Sequence, residues 1–271
     1  MPEVSELFIY PIKSLRGISV LSAKVTDRGF EFDRRWMLID SDNNFLSQRE
    51  FPEMALLQVQ LSDESLTVQH TLDKKETARI PLPGESTQTI TVQVWSDRCK
   101  AQLVSPEVDE WFSDMLSLDC RLVYMPDSSK RRVDTRYASK GEITSLSDGY
   151  PFLIIGQSSL DDLNARLQEP LPINRFRPNI VFTGGEPFQE DIMEHFSIND
   201  IEFFGVKKCA RCVITTINPD NCIKSKEPLK TLSTYRENNN KVYFGQNLLH
   251  KGEGKITRGD RIIIHQLKQT N

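Results

Sequence analysis

Cys209 and Cys212 stand three residues apart in the run VKKCARCVITTINPDNCIKSKEPLKTLSTY (residues 206–235), which also holds Cys222, a TT-x-N-P-D turn and many Lys and Arg. Neighbouring cations, here Lys207, Lys208 and Arg211, favour the thiolate, the form that binds metal and attacks electrophiles. Half of a structural zinc site would need two more ligands, and the four histidines, at 70, 195, 250 and 265, form no H-x3-H or second C-x2-C partner. A thioredoxin-type dithiol opens a helix, whereas Cys212 runs into Val213-Ile214-Thr215-Thr216-Ile217, a β-branched run that predicts a strand. The better reading is a thiolate ligand or nucleophile at Cys212, held at a strand start.

The elements that must position this pair are mostly strands. Residues 4–95 alternate apolar and polar side chains in short segments (SELFIYPI, ISVLSAKVTD, RRWMLIDSD, ALLQVQLS, SLTVQHTL, QTITVQVW) separated by turn residues, predicting an antiparallel meander or small barrel. No helix longer than two turns is expected before residue 105. Residues 105–117 change period: Ser105 caps, Pro106 takes the first helical position, and Val108, Trp111, Phe112 and Met115 share a face. Residues 127–149 are polar, basic at the start and weakly periodic, and are expected to form a mobile loop over a site. A buried strand and a helix capped by Ser-x-x-Asp follow in residues 150–167, then a basic turn and strand at 175–183 and a strand from SINDIEFFGVKK into the cysteine pair. A short helix after Pro228 and closing strands in KVYFGQNLLH and DRIIIHQL complete the chain. The expected fold class is mostly β with inserted helices (α+β), and its 271 residues suffice for two modest domains.

Charge and composition exclude several classes. A net charge of -4 and pI near 5.7 argue against a general nucleic-acid binder. No stretch approaches 18 apolar residues, and the N-terminus lacks the basic and apolar regions of a signal peptide, so no membrane association and a cytoplasmic location are expected. Five unevenly spaced cysteines, 99, 120, 209, 212 and 222, fit reduced thiols. Cys99, Cys120 and Cys222 read as structural thiols, with Cys222 nearest the Cys212 element.

Eight segments in order carry a resemblance: residues 10–17 (YPIKSLRG), 33–36 (DRRW), 47–55 (SQREFPEMA), 145–152 (SLSDGYPF), 176–180 (FRPNI), 209–220 (CARCVITTINPD), 228–236 (PLKTLSTYR) and 244–247 (FGQN). Together they resemble the MOSC-domain family, in its branch of molybdenum-cofactor proteins similar to bacterial YcbX and the mitochondrial amidoxime-reducing component. The resemblance spans nearly the whole chain and implies an N-terminal MOSC β-barrel domain, residues 1–125, that contributes to the cofactor site, then a MOSC domain, residues 126–271. It implies a molybdenum cofactor, Mo-molybdopterin, with Cys212 as metal ligand. The cofactor contacts it implies are Lys13, Ser14, Arg34, Gly149, Tyr150, Arg177, Asn179, Ala210, Arg211 and Asn247. Lys and Arg suit a pterin phosphate, and amide and backbone groups suit the ring edge. Asp148 aligns with the family's loop near the metal and is read as a catalytic residue, a proton donor or a hydrogen-bond partner of a metal-bound oxygen.

The activity so implied is two-electron reduction of N-hydroxylated small molecules such as hydroxylaminopurines, hydroxamic acids or amidoximes. A cofactor or sulfur carrier without its own turnover is the alternative, and a non-catalytic subunit docking an iron-sulfur partner is a third. No C-x4-C-x2-C run occurs, so no iron-sulfur cluster is expected and electrons should come from a separate iron-sulfur flavoprotein or ferredoxin-type donor. Two departures bear on substrate preference: Leu15 replaces a frequent Cys, and Asn247 replaces an aromatic residue of animal relatives. On residue type alone, Lys13, Arg34 and Arg177 read sooner as surface cations over apolar strands, Arg34 least so, Asp148 as a turn former, and Trp36, Trp95 and Trp111 as core anchors.

Overall fold

A computed structural model describes residues 1–73, 77–82, 88–138 and 141–269. Among them the largest unit is a nine-stranded sheet. Its order is Ile18–Val20, Glu3–Ile9, Ile180–Thr183, Phe152–Gly156, Lys241–Lys251, Ile201–Ala210, Met193–Ile198 and Ile262–Leu267, with Glu237–Asn238 also on Lys241–Lys251. All its pairings are antiparallel except Phe152–Gly156 with Ile180–Thr183, the two strands joined through helix Gln157–Asn164. Glu3–Ile9, from the first residues, is therefore an interior strand beside Ile180–Thr183, with Leu7 opposite Ile180. A four-stranded sheet, Trp36–Ile39, Arg121–Tyr124, Asp97–Leu103 and Thr89–Val94, and a three-stranded sheet, Leu57–Leu61, Ser65–His70 and Thr77–Pro81, make most of the N-terminal part. The mostly β fold with a few helices is as expected, and the only helical segment described before residue 105 is the short 3-10 turn Pro52–Leu56.

Helix Pro106–Leu116 forms as its sequence dictates: the Ser105 hydroxyl accepts from Val108 N, and Pro106 occupies the first turn. Its Phe112 is fully buried among Trp36, Leu38 and Leu122, a contact that contributes about 1.5–3 kcal/mol. Helix Leu229–Arg236 follows Pro228 as expected. The expected cap of the middle helix is not used. Its N-cap is Gly156 with no side-chain cap, and Ser159 instead donates to Glu190 at 2.8 Å.

The segment expected as one strand before the cysteines is a hairpin, Met193–Ile198 and Ile201–Ala210, turned at Asn199 in a left-handed conformation. Ile201–Ala210 carries two register shifts against Lys241–Lys251, one between Gly205 and Lys207 and one between Lys208 and Ala210. Bulges bend a strand and re-aim its side chains. Gly205 is required at the first: a Cβ there would lie 2.0 Å from the Met193 carbonyl oxygen.

Two further expectations fail, a strand after Cys212 and Trp95 as a core anchor, while residues 127–149 lie over a cleft as a clasped segment. Val213–Thr216 is a 3-10 turn, because Thr215 N and Oγ1 both donate to the Cys212 carbonyl, at 3.2 and 3.0 Å, and Thr216 Oγ1 donates to Val213 O. Residues 127–149 are a clasped segment, with Arg131 95% buried; its guanidinium donates to Ser145 O, Ser147 O and Asp148 O and pairs with Asp97 at 2.8 Å (139–140 lie outside the described residues). Trp95 is no core anchor. It is 41% exposed in a hairpin turn, while Trp36 is buried.

Candidate functional site

One cleft, about 170 Å³, receives side chains from stretches far apart in the chain, around residues 13, 34, 49, 148, 177, 211 and 247. Lys13, Ser14, Arg34, Asp148, Gly149, Tyr150, Arg177, Asn179, Ala210, Arg211, Cys212 and Asn247 all line it, so the structure brings every expected site residue together. It adds Arg49, a further cation from the SQR segment that the sequence reading did not place in the site, and Ser147, Cys209 and Thr215.

Left-handed backbone shapes the cationic wall. Ser14, Arg34 and Arg177 have φ of 67°, 49° and 54°, conformations that non-glycine residues adopt at a cost and that concentrate at functional sites. Arg34 N donates to Tyr10 O, and Leu146 N to Arg34 O, which ties the DRRW turn to the Asp148 loop. The buried Tyr10 ring is sandwiched by two guanidinium groups, Arg34 at 4.1 Å and Arg177 at 4.3 Å. Arg34 pairs with buried Asp33 at 2.6 Å. Arg177 has only carbonyl and ring partners, donating to Leu15 O at 2.7 Å; burial, and next Arg34, bring its pKa down to about 10.

Lys13 is a buried cation and not a surface one, 4% exposed, with Nζ 2.5 Å from Asp148 Oδ1. Burial pushes its ammonium down to about 8 against the pull of Asp148, and Arg131 and Arg49 add to the fall. Asp148 opens to the cleft, with 63% of its side chain accessible. Crowding raises its pKa, but Lys13, Arg49 and Arg34 more than reverse this and leave the carboxyl well below the usual range. At neutral pH it is a carboxylate that accepts from Lys13 Nζ.

The cysteine wall follows from the bulged strand. Arg211 NH1 donates to Cys209 Sγ at 3.0 Å, and Arg211 N to Val242 O. Lys208 turns instead to Asp191 at 3.1 Å and Lys207 to the Tyr137 ring at 4.8 Å, so neither expected flanking charge is shown at the Cys212 sulfur. Cys212 is half-buried, extended at φ -120°, and begins the 3-10 turn. Asn247 donates to Lys207 O at 3.1 Å. The Asn179 amide is taken up by the protein, accepting from Arg34 and Leu153 N and donating to Phe8 O, so it positions Arg34.

A phosphorylated, sulfur-rich pterin fits this wall. Among the described residues Arg177 and Arg211 make no ion pair, and buried Arg211 Nε has no hydrogen-bond partner. Buried cations and donors left in this state are stabilised by an anion. Cys212, a half-buried free cysteine, offers a sulfur suited to a soft metal centre.

Comparison with known proteins agrees with this chemistry. Residues 1–119 match the MOSC N-terminal beta barrel domain and residues 142–263 the MOSC domain. The chain is similar to mitochondrial amidoxime-reducing component 1 of Mus musculus, 32% identical over 96% of this chain and 82% of that one. It is also 34% identical to mitochondrial amidoxime reducing component 2 of Rattus norvegicus, over 86% of this chain and 72% of the relative. A third relative, the molybdenum cofactor sulfurase of Oryza sativa subsp. japonica, is 30% identical over 97% of this chain and 35% of its own length. The chain belongs to the MOSC-domain family, in the group that carries the MOSC N-terminal β-barrel domain and includes the amidoxime-reducing components.

Proposed function

We propose that this protein is a molybdenum-cofactor-dependent oxidoreductase that reduces N-hydroxylated compounds, hydroxylaminopurines, hydroxamic acids or amidoximes among them. The balanced conversion is R–NHOH plus two electrons and two protons to R–NH2 and water, with the electrons from a separate donor protein of iron-sulfur flavoprotein or ferredoxin type. The observation that carries it is the convergence of Cys212, ion-pair-free Arg177 and Arg211, and the Lys13–Asp148 pair on one cleft. When bound, the cofactor supplies the two-electron redox chemistry. Cys212 offers its sulfur to the metal, and Arg177, Arg211 and Lys13 balance the phosphate charge. Asp148 fixes Lys13 and offers a carboxylate oxygen to a substrate N–H or O–H. Arg131, through the Asp148 carbonyl, holds that loop in place.

The domain division at 125/126 is part of this reading, supported by the two family matches on either side. So is a cytoplasmic setting, supported by five free cysteines. No helix among the described residues is long and apolar enough to cross a membrane. The carrier reading is favoured by the similarity to part of the rice sulfurase. Molybdenum and pterin analysis of purified protein, with 6-hydroxylaminopurine reduction by a chemical donor, separates the two. Turnover supports the reductase, bound cofactor without turnover supports the carrier, and protein that neither holds nor accepts the cofactor defeats both.

A further inference from the structure

Beside the cleft stands an aromatic group that the proposed cofactor contacts do not include. Trp95 and Ser96 are the loop of the hairpin Thr89–Val94 and Asp97–Leu103, whose last pair is Val94 with Asp97. Trp95 has φ +57°, a conformation tight hairpins normally give to Asn or Gly. A bulky residue there breaks a local rule, and such breaks collect at functional sites. The ring is nevertheless fixed in place. Phe45 packs edge-on at 4.8 Å, the Arg49 guanidinium lies 4.6 Å from the ring centre, and Nε1 reaches Asp148 Oδ1 at 3.4 Å. Arg49 also lines the cofactor cleft, while Trp95 and Phe45 line an adjoining cavity of about 530 Å³. A 41% exposed indole is thus locked in one orientation and joined through Asp148 and Arg49 to the reacting pocket.

We propose that Trp95, backed by Phe45 and flanked by Arg49, is a stacking subsite that selects N-hydroxylated substrates built on a flat heteroaromatic ring, such as an N-hydroxylated purine, over aliphatic ones. It rests on the reductase reading and deepens it. Indole and guanidinium planes both bind flat π-systems, and stacking of one base on an aromatic side chain changes affinity by about tenfold or more. A ring held here directs its N–O group towards Asp148, the neighbour of Trp95 Nε1.

Trp95→Asn removes the ring and keeps a residue that tolerates the turn; Trp95→Tyr restores a flat ring. Kinetics with 6-hydroxylaminopurine and acetohydroxamic acid give the selectivity ratio. Trp95→Asn is expected to lower the purine-to-hydroxamate ratio of kcat/KM about tenfold, chiefly through the purine KM, and Trp95→Tyr to recover most of it. An unchanged ratio, or Trp95→Tyr as poor as Trp95→Asn, overturns the subsite. If the wild-type protein reduces neither compound, the reductase reading fails, and intrinsic fluorescence then tests the subsite alone. Quenching by 6-hydroxylaminopurine that is lost in Trp95→Tyr supports it, and quenching equal in both proteins, or absent from both, overturns it.

Discussion

Lys13 Nζ lies 2.5 Å from Asp148 Oδ1, with the lysine buried and the carboxylate open to the cleft. Each depends on the other for its charge. Asp148 favours the ionised form in the folded state, so its stabilisation is present above the unfolded carboxyl value and is lost as pH falls through the lower folded one. The Lys13 ammonium is disfavoured by folding, so its effect is opposite, and stability is gained as pH rises from about 8 towards the unfolded value. Asp148→Asn is expected to flatten the acid side of the stability profile and to move Lys13 deprotonation below pH 8. Denaturant melts across pH 3–9 check this, and an acid limb identical to wild type would contradict it.

Cys212→Ser should abolish turnover while molybdenum is kept in part, because Arg177, Arg211 and Lys13 remain on the wall. Cys209→Ser, whose sulfur accepts from Arg211, should retain activity. Metal analysis beside a reductase assay decides it, and the reverse pattern would make Cys209 the ligand.

Arg177→Met removes a half-buried cation that has no carboxylate partner among the described residues. A charged hydrogen bond is worth about 1.5–3 kcal/mol, so cofactor affinity should fall roughly 10- to 100-fold. Arg177→Lys should not restore it, because a point charge lacks the planar fork that stacks on Tyr10. Retention of pterin through gel filtration reads the effect.

Glu190 is fully buried, its Oε1 has no partner, and burial pushes its pKa up to about 7 against the Ser159 hydrogen bond. A carboxyl raised by folding is destabilising once the unfolded chain ionises, so stability falls as pH rises from the usual carboxylate range to about 7. Glu190→Gln should remove that slope and stabilise the protein at pH 7.5 by on the order of 1–3 kcal/mol. Calorimetry at pH 5 and 7.5 tests it, with no difference between the pH values as the adverse result.

Gly205→Ala pushes a methyl group to within 2.0 Å of a backbone oxygen, which cannot swing aside as a side chain does. Overpacking of this kind costs about 1–3 kcal/mol or more. A lowered Tm with reduced cofactor content is expected, because the same bulge aims Arg211 and Cys212.

Much of this was legible in residue types. Helix Pro106–Leu116 was written in its cap and its apolar face, and the strands of the N-terminal part in their alternation. The site residues came together because each lay in a short motif. What misled was side-chain chemistry competing with propensity. Val213-Ile214-Thr215-Thr216 has strand-forming residues, but two threonine hydroxyls bond back to nearby carbonyls and close a 3-10 turn. The polarity of residues 127–149 hid Arg131, whose carbonyl partners Ser145 and Ser147 stand 14 and 16 residues further on, beyond any local pattern. Asp148 was legible as a site residue, but its ionisation was not, because that is set by Lys13 and Arg49, distant in sequence.

Strand Glu3–Ile9 pairs on one side with Ile18–Val20, which follows it closely, but its other neighbour, Ile180–Thr183, and most of the large sheet are made much later. Long-range pairing of this kind is slow to form and leaves early segments waiting unpaired. Lys13 and Ser14 follow that strand directly, so the cationic wall takes shape only after translation has passed Thr183, and Cys212 comes later still. Any pterin that the cleft takes would therefore enter only after the Cys212 element is made, because an N-terminal part alone holds no complete cleft.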